Sequence, residues 1–190
     1  MLAFPRSGST MAAQLFREHG VWLGQCEGKS LRLPTGGGEN IGIKNLLKEM
    51  GTGLGEMKPH IKGFRVKVER LVKEQGYEDG PWLMKHAIAY WRAWNEFSPK
   101  FVLVERDKES LLASNESSGM AGVRGVQLIN TYAVNLDEME HIKTFAPTIK
   151  TRELIEGDYS SLKNALEHCE IEFDETIPEK VINTEHWHFR

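Results

Sequence analysis

Cysteine is scarce in this chain, with only Cys26 and Cys169 among 190 residues. Two thiols exclude a disulfide framework and a four-cysteine zinc site. They suit a reducing compartment as free thiols, or a single pair. No run of about 18 apolar residues occurs, the length a membrane-spanning helix needs, so no membrane partner is expected. No secretory leader is expected, because Pro5 and Arg6 interrupt the first apolar run too early for its core. A cytoplasmic location is the resulting expectation. A basic excess is also missing: 24 Lys and Arg against 27 Asp and Glu leave a net charge of −3. That argues against a general nucleic-acid binder, although net charge does not exclude a local basic pocket for an anion. No internal repeat, low-complexity tract or domain boundary is visible. One domain over residues 1–190 is expected, long enough to bury a core without covalent staples.

What is present is an alternation of short apolar runs and amphipathic stretches. Met1 to Phe4 reads as a short buried strand. Met11, Ala12, Leu15, Phe16 and His19 share one face of a helix over Thr10 to Gly20. Residues 28–38 read as a loop, and Gly51 to Gly55 as a second glycine-rich break. Between them a helix carries Ile43, Leu46, Leu47 and Met50. Ile61, Phe64, Val68, Leu71 and Val72 mark another helix, ending near Gly76. Pro81 to Met84 and Phe101 to Val104 are continuous apolar runs, as expected of parallel strands buried on both faces. Ala87 to Phe97, Lys108 to Glu116 and roughly 122–145 read as helices. Ile149 to Ile155 reads as a weak strand, and Leu162, Ala165, Leu166 and Cys169 mark the last clear helix. The alternation implies an α/β fold with a central, mostly parallel sheet flanked by helices.

The informative segment is Phe4-Pro5-Arg6-Ser7-Gly8-Ser9-Thr10, between the first strand and the first helix. A strand, a tight turn of small residues and a helix N-terminus together make an anion cradle. Unpaired N–H groups of the first helical turn and the helix dipole both favour negative charge there. Ser7, Ser9 and Thr10 offer hydroxyls, and Gly8 allows close approach of the backbone. Against the ATP-binding pattern G-x-x-x-x-G-K-[ST], Gly8 and Thr10 fit. Ala3 replaces the first glycine, however, and Ser9 replaces the lysine. The cation sits instead at Arg6. The ordinary alternative is a serine-rich turn with Thr10 or Ser9 as helix N-cap.

A second constellation lies downstream. Phe101 to Arg106 is an apolar run ending in arginine, and Ser114 follows eight residues later in the next expected helix. An arginine fork with a neighbouring hydroxyl suits phosphate oxygens. The ordinary alternatives are a surface ion pair of Arg106 with Asp107 or Glu109, and a helix-surface role for Ser114. Together the two segments resemble the signatures of sulfotransferases that use 3′-phosphoadenosine 5′-phosphosulfate. In that family the first loop reads Pro, Lys or Arg, Ser-Gly-[Ser/Thr]-Thr and holds the phosphosulfate, while the strand-end Arg and the Ser hold the 3′-phosphate. The resemblance runs from residue 1 to about 118 and is closer to bacterial or tyrosylprotein-type members. It implies a three-layer domain like that of the phosphate-loop NTPases. It implies donor contacts from Arg6, Ser7, Gly8, Ser9, Thr10, Arg106 and Ser114, and no metal. The chain departs from relatives at Lys108, where many have Pro, and at Met11, where cytosolic members carry Trp. It also lacks their late Arg-Lys-Gly motif.

Sulfuryl transfer depends mostly on positioning and on stabilising the leaving phosphate, by analogy with phosphoryl transfer. Arg6 is assigned the stabilising role, as a permanently charged group rather than an acid. The acceptor proton needs a base. The resemblance points first to Glu27, then to Glu39, then to His86, which neighbours Lys85 and turns to the other side if the strand continues. Lys85 matches a family lysine near the transferred group. Glu27 can equally be a solvated carboxylate, Glu39 a carboxylate favoured at a helix N-terminus, and Lys85 a solvated strand-end lysine. His186 and His188, without a third ligand, are weak evidence for a metal. The acceptor, a small molecule, glycan or peptide, would meet residues 28–60 and 119–147, which carry no motif. The expected activity is sulfuryl transfer to a hydroxyl or amine. An ATP-dependent, kinase-like phosphotransferase and a non-catalytic nucleotide-binding module are the alternatives.

Overall fold

The computed structural model describes residues 1–26, 37–49, 61–117 and 135–182. Four short strands form one sheet: β1 Leu2–Ala3, β2 His86–Ala87, β3 Leu103–Glu105 and β4 Thr148–Lys150. All are parallel, in the order β2-β1-β3-β4. The register pairs Leu2 with His86 and Leu103, and Val104 with Ile149. The helices are α1 Ser9–Glu18, α2 Ile41–Lys48, α3 Phe64–Glu74, a 3-10 helix Ile88–Phe97, α4 Lys108–Ser117, α5 over 135–143, α6 Thr151–Ile155, α7 Ser160–His168 and α8 Thr176–Val181. The chain therefore has a mixed α/β fold. Among the described residues, no helix is long and apolar enough to cross a membrane.

The sheet is covered on both faces, which explains why its strands are apolar without alternation. Ala3, Val102, Val104 and Ile149 pack with Ala12, Leu15 and Phe16 of α1 and with Leu162, Ala165 and Leu166 of α7. Leu2, Phe4 and Leu103 point the other way, into a cluster with Ile88, Trp91, Met139 and Ile142. A third cluster joins Ile43 and Leu47 of α2, Phe64 and Val68 of α3, and Trp94 of the 3-10 helix. Cys26 and Cys169 are free thiols.

Several expected elements differ. Pro81 to Met84 is not a strand of the sheet. Its backbone instead pairs with the 22–23 segment: Trp22 N–H donates to Pro81 O at 3.0 Å and Leu83 N–H to Trp22 O at 2.9 Å. Sheet pairing begins only at His86, because β1 offers two residues to pair with. Residues 88–97 are helical, but of the tighter kind. Ile88, Trp91, Trp94 and Phe97 recur every third residue, the spacing at which 3-10 side chains eclipse. The strand expected over Ile149 to Ile155 stops at Lys150 and turns directly into α6, where the Thr151 hydroxyl donates to Glu105 O at 3.1 Å. Helix α8, which periodicity does not reveal, starts where the Asp174 side chain accepts from Thr176 N–H at 2.8 Å, with Pro178 in its first turn. Met50, the Gly51 to Gly55 break, the 122–134 part of the long helix and the tail Glu185 to Arg190 lie outside the described residues.

Candidate functional site

The turn after β1 is tight: Ser7 N–H donates to Phe4 O at 3.3 Å. Two residues in it have left-handed backbone, Arg6 at φ 68° and Gly8 at φ 86°. Glycine adopts this region freely, whereas for arginine it is uncommon and strained. Gly8 is the N-cap of α1 and no side chain caps the helix, so neither Thr10 nor Ser9 plays the capping part. Among the described residues, no side chain accepts from the amides of the first turn. Ser7 is fully buried, and its Oγ has no hydrogen-bond partner among the described residues. A buried hydroxyl left in this way is uncommon and asks for an explanation.

The two sequence constellations meet here. Arg6 donates from Nε and Nη2 to Ser114 Oγ, at 3.2 and 3.0 Å, across 108 residues of chain. Arg106 Nη1 donates to the Arg6 carbonyl at 3.2 Å. Arg106 and Ser114 are each only 6% exposed, so Ser114 is not a helix-surface residue and Arg106 does not lie at the surface as an exposed ion pair with Asp107 or Glu109 would require. Burial holds the Arg6 guanidinium below its ordinary pKa, and no carboxylate among the described residues opposes that shift. Burial lowers Arg106 as well, with the nearby Asp107 opposing and Arg6 adding to the shift. Two desolvated like charges held this close disfavour each other, and an anion between them would relieve both.

Sheet topology accounts for the meeting point. The β1 and β3 strands are neighbours, and the chain leaves β1 for β2 on one side and β3 for β4 on the other. The crevice outside the carboxyl ends of two such strands is the usual ligand site of open parallel sheets. Arg6 follows β1, Arg106 follows β3, and Ser114 lies on the helix after β3.

Lys85 is not a solvated strand-end lysine, for its side chain is 4% exposed. Its Nζ donates to the Thr10 hydroxyl at 3.1 Å and to the Gly37 carbonyl, and pairs with Glu39 at 2.9 Å. Burial lowers its pKa, and Glu39 counters that shift. The Thr10 hydroxyl itself donates to Gly37 O at 3.1 Å. In this structure Thr10 therefore tethers the 37–40 segment rather than offering its proton to a ligand. Ser9 carries no such bond among the described residues and is half-buried.

His86 is enclosed, 6% exposed, and stacked on Trp94 at 5.4 Å and 12°. Its pKa falls to about 3, first through burial and then through the positive charges of the amino-terminal group, Lys85 and Lys44. It faces the aromatic core and offers nothing to a solvent-borne acceptor. Glu27 lies outside the described residues. Glu39 is thus the candidate base whose place at the site is described.

Sequence reasoning missed the network that sets the 37–40 segment in place. Asn40 caps α2, accepting from Ile43 N–H at 3.2 Å, and its amide donates to Leu23 O and to Gln75 Oε1. Gln75 Oε1 also accepts from Gln25 N–H at 2.8 Å. An Asn directly before an apolar-periodic run is a helix-start signal that could have placed Asn40, whereas nothing local marks Gln75. No known family, curated protein or solved structure matches the chain, so this geometry stands by itself.

Proposed function

We propose that the chain transfers a sulfuryl group from 3′-phosphoadenosine 5′-phosphosulfate to an acceptor hydroxyl or amine, on a three-layer domain of the phosphate-loop type. The observation that carries this reading is the direct hydrogen bonding of Arg6 to Ser114. Two motifs far apart in sequence, each chosen for one phosphate of the donor, share one crevice at the sheet's switch point. The cationic surroundings support an anion there, as do the α1 N-terminus and the Ser7 hydroxyl, which meet no side-chain partner among the described residues.

In the proposed reaction the acceptor oxygen or nitrogen attacks sulfur in line with the bond to the bridging phosphate oxygen. As the new bond forms, that bond breaks and negative charge moves to the leaving phosphate. Arg6 and the main-chain donors of residues 7–10 stabilise this charge. Lys85, beside Thr10, is placed to share the role near the transferred group. The acceptor proton passes to a carboxylate, for which Glu39 and Glu27 stand.

Calorimetric titration with 3′-phosphoadenosine 5′-phosphate tests the donor site. Tight binding is expected, weakened roughly tenfold or more in both Arg6→Ala and Arg106→Ala, since hydrogen bonds to charged groups are worth about 1.5–3 kcal/mol. Binding of magnesium–ATP with no binding of the bisphosphate would overturn the reading in favour of phosphotransfer.

A further inference from the structure

Gln75 stands outside the two motifs, at the C-terminal cap of α3, and is half-buried. Its Oε1 accepts from Asn40 Nδ2 at 2.6 Å and from Gln25 N–H at 2.8 Å, and its Nε2 donates to Asn40 Oδ1 at 3.1 Å. The two side-chain amides therefore face each other and exchange a pair of hydrogen bonds. Asn40 Nδ2 also donates to Leu23 O at 3.2 Å, and its Oδ1 accepts from Ile43 N–H at 3.2 Å. An asparagine amide can make four hydrogen bonds, and here all four are made by a residue only 1% exposed. A buried amide paired on every side has one orientation.

The surroundings are shaped for this pair. Gly24 has left-handed backbone at φ 68°, and a Cβ there would lie 2.4 Å from both Asn40 Nδ2 and Gln75 Oε1. Glycine is thus required by conformation and by space. Backbone pairing adds to the clamp, with Ile41 N–H donating to Gln25 O at 2.9 Å. The anchor itself is firm, because Phe64, Val68 and Val72 pack α3 against Ile43 and Leu47 of α2 and against Trp94.

Glu39 directly precedes Asn40, and its carboxylate lies 2.9 Å from Lys85 Nζ. Gln75 makes no hydrogen bond to Glu39 or Lys85 among the described residues, so any influence on them passes through Asn40. We propose that Gln75 is a positioning residue of this site: through its amide pair with Asn40 it holds the Glu39 carboxylate against Lys85. The part of Glu39 as proton acceptor rests on the reaction proposed above, whereas the placing of its carboxylate rests on this geometry.

The Lys85 ammonium reports that placing. Burial lowers its pKa, Glu39 opposes the shift, Lys44 adds to it and Cys26 opposes it. His86 is a further titratable neighbour. A displaced Glu39 therefore lowers the Lys85 pKa further. The test follows the Lys85 side-chain resonances of lysine-labelled protein against pH, assigned by their loss in Lys85→Met. Gln75→Leu and Gln75→Ala are each expected to move the Lys85 titration down by roughly one pH unit, the usual effect of losing a close opposite charge. In the Glu39→Gln background the same substitutions are expected to cause no further shift, the mark of two residues acting through one interaction. Val68→Ala, on the same helix, is expected to lower the thermal midpoint and leave the titration in place. A thermal melt verifies that each variant is folded. An unmoved titration in both Gln75 variants, a full shift in the Glu39→Gln background, or an equal shift in Val68→Ala would each overturn the proposal. The titration needs no ligand, so a failure of the bisphosphate to bind counts against the proposed reaction alone.

Discussion

Arg6 combines two properties that seldom coincide, a left-handed backbone at φ 68° and a half-buried guanidinium with no compensating carboxylate among the described residues. An L-residue in this region pays about 1–2 kcal/mol relative to glycine. Removing the side chain should therefore separate strain from binding. Arg6→Gly is expected to be more stable than Arg6→Ala by about 1 kcal/mol in urea unfolding, while both lose bisphosphate affinity. Equal stability of the two variants would contradict the backbone conformation. His86 carries a different consequence. Its pKa of about 3 lies below the ordinary 6.5, so between these values the unfolded chain binds a proton that the folded chain does not. The contribution of His86 to stability is complete above pH 6.5 and is lost as pH falls toward 3, at up to about 1.4 kcal/mol per pH unit. His86→Phe is expected to flatten the fall in unfolding free energy between pH 6 and 4. An unchanged slope would place His86 in a solvated environment.

At the scale of elements, Lys85 is the joint between the approach to β2, the first turn of α1 and the 37–40 segment. Lys85→Met keeps the volume of the stem but leaves the Gly37 carbonyl and Glu39 without their cation. A loss of about 1–3 kcal/mol is expected, the usual consequence of orphaning buried polar groups. Amide exchange in residues 38–43 is expected to accelerate while that in α7 does not, and uniform acceleration would contradict the local tether. Much of this layout was legible in the residues. The Phe4 to Thr10 string and the Arg106 to Ser114 spacing placed a turn, a strand end and a helix where they occur. The apolar stripes of α1, α2, α3 and α7 were readable because each packs on a single face. Pro81 to Met84 misled because an apolar run records burial, not its partner, and here the partner is the 22–23 backbone and the aromatic cluster. The every-third-residue pattern of Ile88, Trp91, Trp94 and Phe97 carried the 3-10 geometry, but a coarse helical reading passes over it. The bonds of Arg6 to Ser114, Lys85 to Glu39 and Asn40 to Gln75 join residues 108, 46 and 35 positions apart. Only the fold brings such pairs together, so local pattern could propose the residues and not their contacts.

For the whole molecule, topology is the deciding fact. Because the strands run in the order β2-β1-β3-β4 and all in one direction, the turns after β1 and β3 share one end of the sheet. A cavity of about 840 Å³ bounded by Leu2, Met84 and Val102 occupies the other. One end gathers arginines, hydroxyls and helical amides, and the other gathers aromatic rings. In the proposed function the first end holds both phosphates of one nucleotide, with Arg6 on the 5′ side and Arg106 with Ser114 on the 3′ side. The most direct measurement is the ratio of affinities for 3′-phosphoadenosine 5′-phosphate and adenosine 5′-phosphate, taken in the unaltered protein and in Arg6→Ala, Arg106→Ala and Ser114→Ala. The unaltered protein should favour the bisphosphate by roughly ten- to a hundredfold, the worth of charge-assisted hydrogen bonds to a second phosphate. Arg106→Ala and Ser114→Ala should bring that ratio toward one, while Arg6→Ala weakens both ligands and preserves it. A ratio near one in the unaltered protein, or one untouched by Arg106→Ala and Ser114→Ala, would contradict the assignment of the crevice to a bisphosphate nucleotide.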